Sequence, residues 1–268
     1  KLSEATEDQI LALWSGLGFY RRARNIFKTK EIIKEEYNNR FPKEFHQLLE
    51  LPGIGKSTAG AIMSLAYENP HPILDGNVKR VITRLVNKNI DLLKESQLWD
   101  LSSQFVNKEN CFAYTQGIMD LGATVCTPTN PSCKDCPVQN QCMSAFNIIN
   151  NKKRNVAQLK KVIPMNLSLI QTEDSLLLVK NEASSIWKNL WIPFESRSLE
   201  SYTNNFKLTS SQKIQHELTH RRLNIKLNTY ISINESKIKT NKKYKWIKKD
   251  RINEYGLPKP ISKVINEL

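Results

Sequence analysis

The sequence contains no run approaching the ~18 apolar residues that a bilayer-spanning helix requires, which argues against a helical membrane protein. Cysteine is scarce: there are five, and four of them fall between positions 126 and 142. A secreted disulfide framework spreads its cysteines along the chain, so this clustering excludes one and points to a metal site in a reducing compartment. Acidic residues are also few, with 26 Asp and Glu against 40 Lys and Arg and a formal net charge of +14. Such a surplus suits a polyanionic partner, because each neutralised phosphate releases counterions. The plainer explanation is compositional drift, since Asn and Ile are abundant too. There is no internal repeat and no long low-complexity segment. There is also no initiator methionine: the chain begins at Lys1 inside a helical pattern and reads as a fragment lacking its natural N-terminus.

The 268 residues suffice for two ordinary domains. Residues 1–125 read as helices joined by short turns. Leu11, Leu13, Trp14 and Leu17 suggest one apolar stripe, and Ile26, Phe27, Ile32 and Ile33 another. Further helices are expected near 44–50, 57–67, 77–87, 95–107 and 111–122. A cysteine-bearing loop follows (126–142, extending to 149), then a basic linker at 150–163 with Lys152, Lys153, Arg154, Lys160 and Lys161. Beyond it the period changes to two. Leu223, Ile225, Leu227, Ile231 and Ile233 alternate with polar residues, as in a strand with one buried face. Leu176–Val179 and Tyr244–Ile247 are further strand candidates.

Three motifs carry chemistry. The first is Leu51-Pro52-Gly53-Ile54-Gly55-Lys56-Ser57-Thr58-Ala59-Gly60. Gly53 and Gly55 between helical segments make a tight hairpin whose amides can approach a phosphate, with Lys56 as a counter-charge. Alone, such a pair of glycines is more often a plain connection between helices. The second is Leu74-Asp75-Gly76-Asn77-Val78-Lys79-Arg80-Val81, where Asp75 stands twenty residues after Gly55. An Asp just before a helix is ordinarily an N-cap. The third is Cys126-x6-Cys133-x2-Cys136-x5-Cys142. Four thiolates suit a [4Fe–4S] cluster, while zinc is the rival, although four-cysteine zinc sites usually show two short C-x-x-C knuckles and this has one. Cys111 stands apart and reads as a small buried hydrophobe.

Together these motifs resemble the helix–hairpin–helix DNA glycosylase superfamily, and within it the adenine glycosylase (MutY-type) branch. The resemblance implies a mainly α helix–hairpin–helix domain with a [4Fe–4S] loop, followed by a smaller α+β Nudix-like domain at 164–268. It implies a DNA partner gripped by Gly53, Gly55, Lys56 and Lys79. In it Asp75, assisted by Asn77, faces the sugar of an extruded nucleotide and stabilises the positive charge that develops there. Bifunctional relatives place a lysine nucleophile where this chain has Ser57, so no Schiff base forms by the usual route and a monofunctional enzyme is implied.

The resemblance extends to Trp14-Ser15-Gly16-Leu17-Gly18-Phe19-Tyr20 and the arginines that follow. There Leu17 and Phe19 would wedge into the duplex; the family residue at Phe19 is usually Tyr, and Phe keeps the stacking surface. Leu190-Trp191-Ile192-Pro193 looks like a degenerate Nudix signature. Leu218-Thr219-His220 stands where the family has Phe-Ser-His, a loop that touches 8-oxoguanine. There is no Nudix-box acidic cluster, so pyrophosphate hydrolysis is not expected. The family's general-acid glutamate lies before the position of Lys1, and no Glu here matches its motif. The activity implied is removal of adenine opposite 8-oxoguanine or guanine in base excision repair, by a monomer in the bacterial cytoplasm at the nucleoid. The alternatives are an endonuclease III-like lyase for oxidised pyrimidines and a non-catalytic iron–sulfur DNA-binding protein.

Overall fold

The computed structural model describes residues 1–147, 160–182, 186–196, 206–232 and 243–268. Helices fill the first half: α1 (Glu7–Leu13), α2 (Arg21–Glu36), α3 (Phe45–Glu50), α4 (Lys56–Ala66), α5 (Gly76–Leu85), α6 (Glu95–Phe105) and α7 (Cys111–Asp120). Their starts follow from local chemistry. Thr6 and Gln9 close a capping box on α1, the Asp75 carboxylate accepts from the Val78 amide on α5, and the Asn110 side chain accepts from Ala113 on α7. After α7 the helix widens into one π turn, Leu121–Val125, which delivers Cys126. Such turns gather at functional positions.

Packing separates the chain into two compact units, Ile32–Val156 and Lys1–Glu31 with Ala157–Leu268. In the helical unit Leu48, Leu51, Ala59 and Met63 join α3 to α4. A second cluster built on Ile73, Leu74, Val78, Ile82, Leu98 and Ile118 joins α5, α6 and α7. Each fully buried Leu, Ile or Val contributes about 1.5–3 kcal/mol over leaving it exposed.

The other unit is built on a sheet of β1 (Lys161–Gln171), β2 (Ser175–Lys180), β3 (Trp191–Ile192), β4 (Phe194–Glu195), β5 (Phe206–Glu217), β6 (Arg221–Ser232) and β7 (Tyr244–Lys248), with α8 (Lys259–Ile265). The strands run in the order β3-β2-β1-β6-β5, with β4 also on β1 and β7 on β2. β1 and β6 are parallel from Lys161↔Arg221 to Gln171↔Ile231, and the remaining pairs are antiparallel. One sheet face buries Leu167, Leu169, Leu176, Leu178, Leu223, Ile225 and Leu227 against α8 and against Ile10, Leu11 and Ala23 of the N-terminal segment. The other carries Ile170, Leu177 and Phe194.

These units depart from a division at residue 125. The first 31 residues pack with the strands because Ile10, Leu11 and Ala23 are buried in the sheet's core. Nor do Leu11, Leu13, Trp14 and Leu17 form one stripe. α1 stops at Leu13, Gly16 and Gly18 take φ of +85° and +70°, and Leu13 and Leu17 are 87% and 67% exposed. Helix geometry cannot continue through positive φ, so the 3.6-residue period has no meaning there. Of the expected linker, residues 150–159 lie outside the described residues, as does Ile233 of the strand pattern. Residues 161–163 already belong to β1, whose first residues are exposed while β6 supplies their backbone partners.

Candidate functional site

Asp75 is exposed at the N-terminus of α5, and its Oδ1 accepts from the Val78 amide at 2.7 Å. The cap is therefore real, and it uses one oxygen of an exposed carboxylate. The preceding loop is held by buried or half-buried serines. Ser64 Oγ accepts from the His71 amide at 3.1 Å, Ser102 Oγ donates to the Ile73 carbonyl at 2.7 Å, and Ser57 Oγ accepts from the Leu74 amide at 2.9 Å. Gly60 completes the clamp, since a Cβ there would lie 2.3 Å from the Pro72 carbonyl oxygen. Ser57 thus couples the hairpin to the loop that carries Asp75. Ser64, Ser102 and Gly60 have no signature in sequence, because serine and glycine inside helices announce no tertiary partner.

The hairpin is open. Gly53 takes φ of +84°, and Gly55, the residue before α4, has no atoms near the place of a Cβ. No side chain caps α4, so its first-turn amides offer donors at the positive end of the helix dipole. Lys56 lies beside them with its Nζ 4.2 Å from the Trp99 ring centroid, and the Lys79 ammonium is 4.0 Å from Glu95. Asn77 is not hydrogen-bonded to Asp75; its Oδ1 accepts from Arg80 at 2.8 Å.

α5 also holds the cysteine loop. Arg80 donates to the carbonyls of Cys126 at 2.7 Å and Gly122 at 2.6 Å. Burial pulls its pKa below the ordinary arginine value. One turn on, Arg84 donates to Cys126 Sγ at 3.3 Å, to Thr127 O at 2.8 Å and to Pro128 O at 3.0 Å. The loop's far end returns to the same helix through Met143 N to Leu85 O at 3.0 Å and Ser144 Oγ to Asn87 Oδ1 at 3.0 Å. Cys126, Cys133, Cys136 and Cys142 are all free thiols and together line one cavity of about 30 Å³. Burial pushes the Cys142 thiol up, and the three neighbouring thiols add to the effect. Among the described residues no three His, Cys, Asp or Glu side chains are grouped as ligands of a single metal ion. Four soft donors around a common space fit a multi-iron cluster.

The second constellation lies in the sheet-based unit. Leu218 N donates to Arg221 O at 2.8 Å, closing the turn between β5 and β6 and leaving Thr219 and His220 exposed. Leu218, Thr219 and His220 line an open cleft of about 640 Å³ together with Leu17 and Phe19. Two motifs some two hundred residues apart in sequence thus share one cleft. His216, Lys259 and Trp187 also line it and were not legible in the sequence. Burial, reinforced by the Lys259 charge, pulls the His216 pKa below its ordinary value.

Residues 1–98 match the HhH-GPD superfamily of base excision DNA repair proteins, and residues 166–267 match the NUDIX domain. The chain is 37% identical to the adenine DNA glycosylase of Buchnera aphidicola subsp. Schizaphis graminum, covering 98% of this chain and 80% of that protein. It is 34% identical to that of Buchnera aphidicola subsp. Acyrthosiphon pisum over 98% of this chain and 79% of the relative. The human adenine DNA glycosylase is 39% identical over 53% of this chain and 27% of its own length. A thermostable thymine-DNA glycosylase structure superimposes with a TM-score of 0.50 at 27% identity, covering 55% of this chain and 69% of that one.

Proposed function

The chain belongs to the adenine DNA glycosylase family, and we propose that it removes adenine paired with 8-oxoguanine or guanine by hydrolysis alone, acting as a monomer. It is a DNA N-glycosylase of base excision repair, with DNA as its partner. The observation that carries the mispair preference is the shared cleft of Leu17 and Phe19 with Leu218, Thr219 and His220.

Adenine is a normal base, so selection must come from the base opposite, and phosphate contacts carry little of that information. The hairpin amides after Gly53 and Gly55, with Lys56 and Lys79 nearby, grip the backbone. Leu17 and Phe19 enter the stack and favour extrusion of a nucleotide, whose unstacking costs a few kcal/mol. Thr219 offers a hydroxyl that can donate to or accept from the oxidised base. As the N-glycosidic bond lengthens, positive charge grows on the sugar, and the exposed Asp75 carboxylate faces it. Water then adds to the sugar carbon, its hydroxyl replacing the broken bond to nitrogen and its proton balancing the one taken up by the adenine that leaves. Ser57 supplies no amine to form a Schiff base, which makes hydrolysis the outcome. Asn77 acts on the Asp75 turn through Arg80.

Cys126, Cys133, Cys136 and Cys142 would hold a [4Fe–4S] cluster, which when bound supplies a structural cross-link of the loop. The test of the reading is single-turnover adenine release by the whole protein from duplexes with adenine opposite 8-oxoguanine, guanine or thymine. Rapid release opposite 8-oxoguanine, slower release opposite guanine and none opposite thymine is expected. Equal rates on all three would overturn it.

A further inference from the structure

Two large apolar side chains on a surface loop need something that keeps them there. Leu17 and Phe19 are 67% and 72% exposed, so burial does not hold them. Gly16 and Gly18 take φ of +85° and +70°, which glycine adopts freely, but Phe19 between Gly18 and Tyr20 takes +46°, which a side-chain-bearing residue rarely adopts. A non-glycine residue in that region is disfavoured and persists only where its surroundings over-determine it.

The surroundings do so through three donors. Trp14 Nε1 donates to the Gly18 carbonyl at 3.0 Å and closes the loop on itself. The two residues flanking the loop, Ser15 and Tyr20, both donate a hydroxyl to one acceptor, the Leu257 carbonyl, at 3.2 and 3.1 Å. A carbonyl oxygen has two lone pairs and can serve both. Burial raises the Tyr20 phenol pKa, so it stays a donor throughout the working range.

The acceptor is itself fixed. Leu257 is buried, the adjoining Gly256 carbonyl accepts from Trp191 N at 2.9 Å, and a Cβ on Gly256 would lie 2.5 Å from that of Leu11. Trp191 Nε1 and Lys180 Nζ in turn reach Asp8 Oδ1 at 3.2 and 2.9 Å. The loop is therefore fastened at both ends to the body that presents the β5–β6 turn.

We propose that Ser15 and Tyr20 are positioning residues for lesion recognition, locking the Leu17–Phe19 loop through the Leu257 carbonyl to the body that carries Leu218, Thr219 and His220. The two halves of the cleft then meet DNA as one preorganised jaw, and the ordering of a free loop is not charged against binding. This rests on the reading of the cleft given above.

Ser15→Ala and Tyr20→Phe each remove one donor and leave backbone and ring in place. In the whole protein, the rate of adenine release opposite 8-oxoguanine divided by that opposite guanine should fall about threefold to tenfold for each, the range a lost neutral hydrogen bond produces. The rate opposite guanine and the melting temperature should move less. Ser15→Thr, which keeps the hydroxyl, should keep the ratio. Phe19→Ala is measured beside them. An unchanged ratio in Phe19→Ala would remove the cleft reading and this proposal with it. A lowered ratio in Phe19→Ala with unchanged ratios in Ser15→Ala and Tyr20→Phe would overturn the positioning role alone. So would a parallel loss of both rates and melting temperature in those two variants.

Discussion

Gly60→Ala sets two physical effects against each other. Gly60 is buried inside α4, where helix propensity alone favours Ala over Gly by roughly 1 kcal/mol. The structure predicts the opposite sign. The new Cβ would stand 2.3 Å from the Pro72 carbonyl oxygen and 3.3 Å from the Pro72 carbonyl carbon, both backbone atoms that no rotamer change can move aside. Relief to an ordinary contact needs a shift of about 1 Å in the loop at Pro72 or in α4 itself, an overpacking cost of about 1–3 kcal/mol. The same loop is fastened at His71, Ile73 and Leu74 by Ser64, Ser102 and Ser57, so displacement at Pro72 is passed toward Asp75. A misplacement of about 1 Å at a reacting centre costs on the order of 100-fold in rate. Gly60→Ala should therefore melt earlier and release adenine about 100-fold more slowly under single-turnover conditions, with DNA binding kept. A variant that melts later and excises within about threefold of wild type would refute the clamp.

Arg84→Met removes the donors to Cys126 Sγ, Thr127 O and Pro128 O while keeping the aliphatic stem, and should leave the purified protein with less iron and sulfide. Undiminished iron would show that the loop holds its metal without α5. Borohydride trapping on a cleaved substrate should yield little covalent adduct because Ser57 offers no amine, any residue arising from Lys56 or Lys79. Strand nicking as fast as base release would contradict this. His216 has a folded-state pKa below its unfolded value, through burial first and Lys259 second. Protonation therefore favours the unfolded chain, and stability present above the unfolded value of about 6.5 is lost as pH falls below it. Melting at about pH 7.5 and 5.5 should show a smaller acid loss in His216→Gln than in wild type, and equal losses would remove the role of His216.

Features with a local cause were readable from sequence. The Gly53–Gly55 hairpin, the N-cap at Asp75, the spacing of Cys126, Cys133, Cys136 and Cys142, and the alternation of Leu223, Ile225 and Leu227 along β6 each follow from backbone preference or periodicity within a few residues, whereas Ile231, expected on the same buried face, is exposed near the strand's end. What escaped depends on distant partners. β5 gave no strand signal because its register partners on β6 are matched by Gln212, Lys213 and Ser211 instead of by an apolar alternation. Lys160 and Lys161 suggested a linker because charge at the exposed end of a paired strand looks like charge in a loop. The attachment of residues 1–31 to the sheet rests on Leu11 against Gly256 and on Asp8 with Lys180 and Trp191, pairs separated by most of the chain. Ser64 and Ser102 act by single hydrogen bonds to carbonyls or amides of another segment, which no pattern encodes.

The central claim is that Asp75 is more than a helix cap, and Asp75→Asn separates the two roles. Asn caps helices about as well as Asp, so α5 and the melting temperature should be preserved. The charge facing the sugar is lost, and removal of one preorganised stabiliser costs about 100- to 1000-fold. Single-turnover adenine release by the whole protein, from a duplex with adenine opposite 8-oxoguanine, is the direct measurement. The account predicts a loss of at least about 100-fold with DNA affinity intact. A rate within about tenfold of wild type would leave Asp75 as a cap and contradict the account.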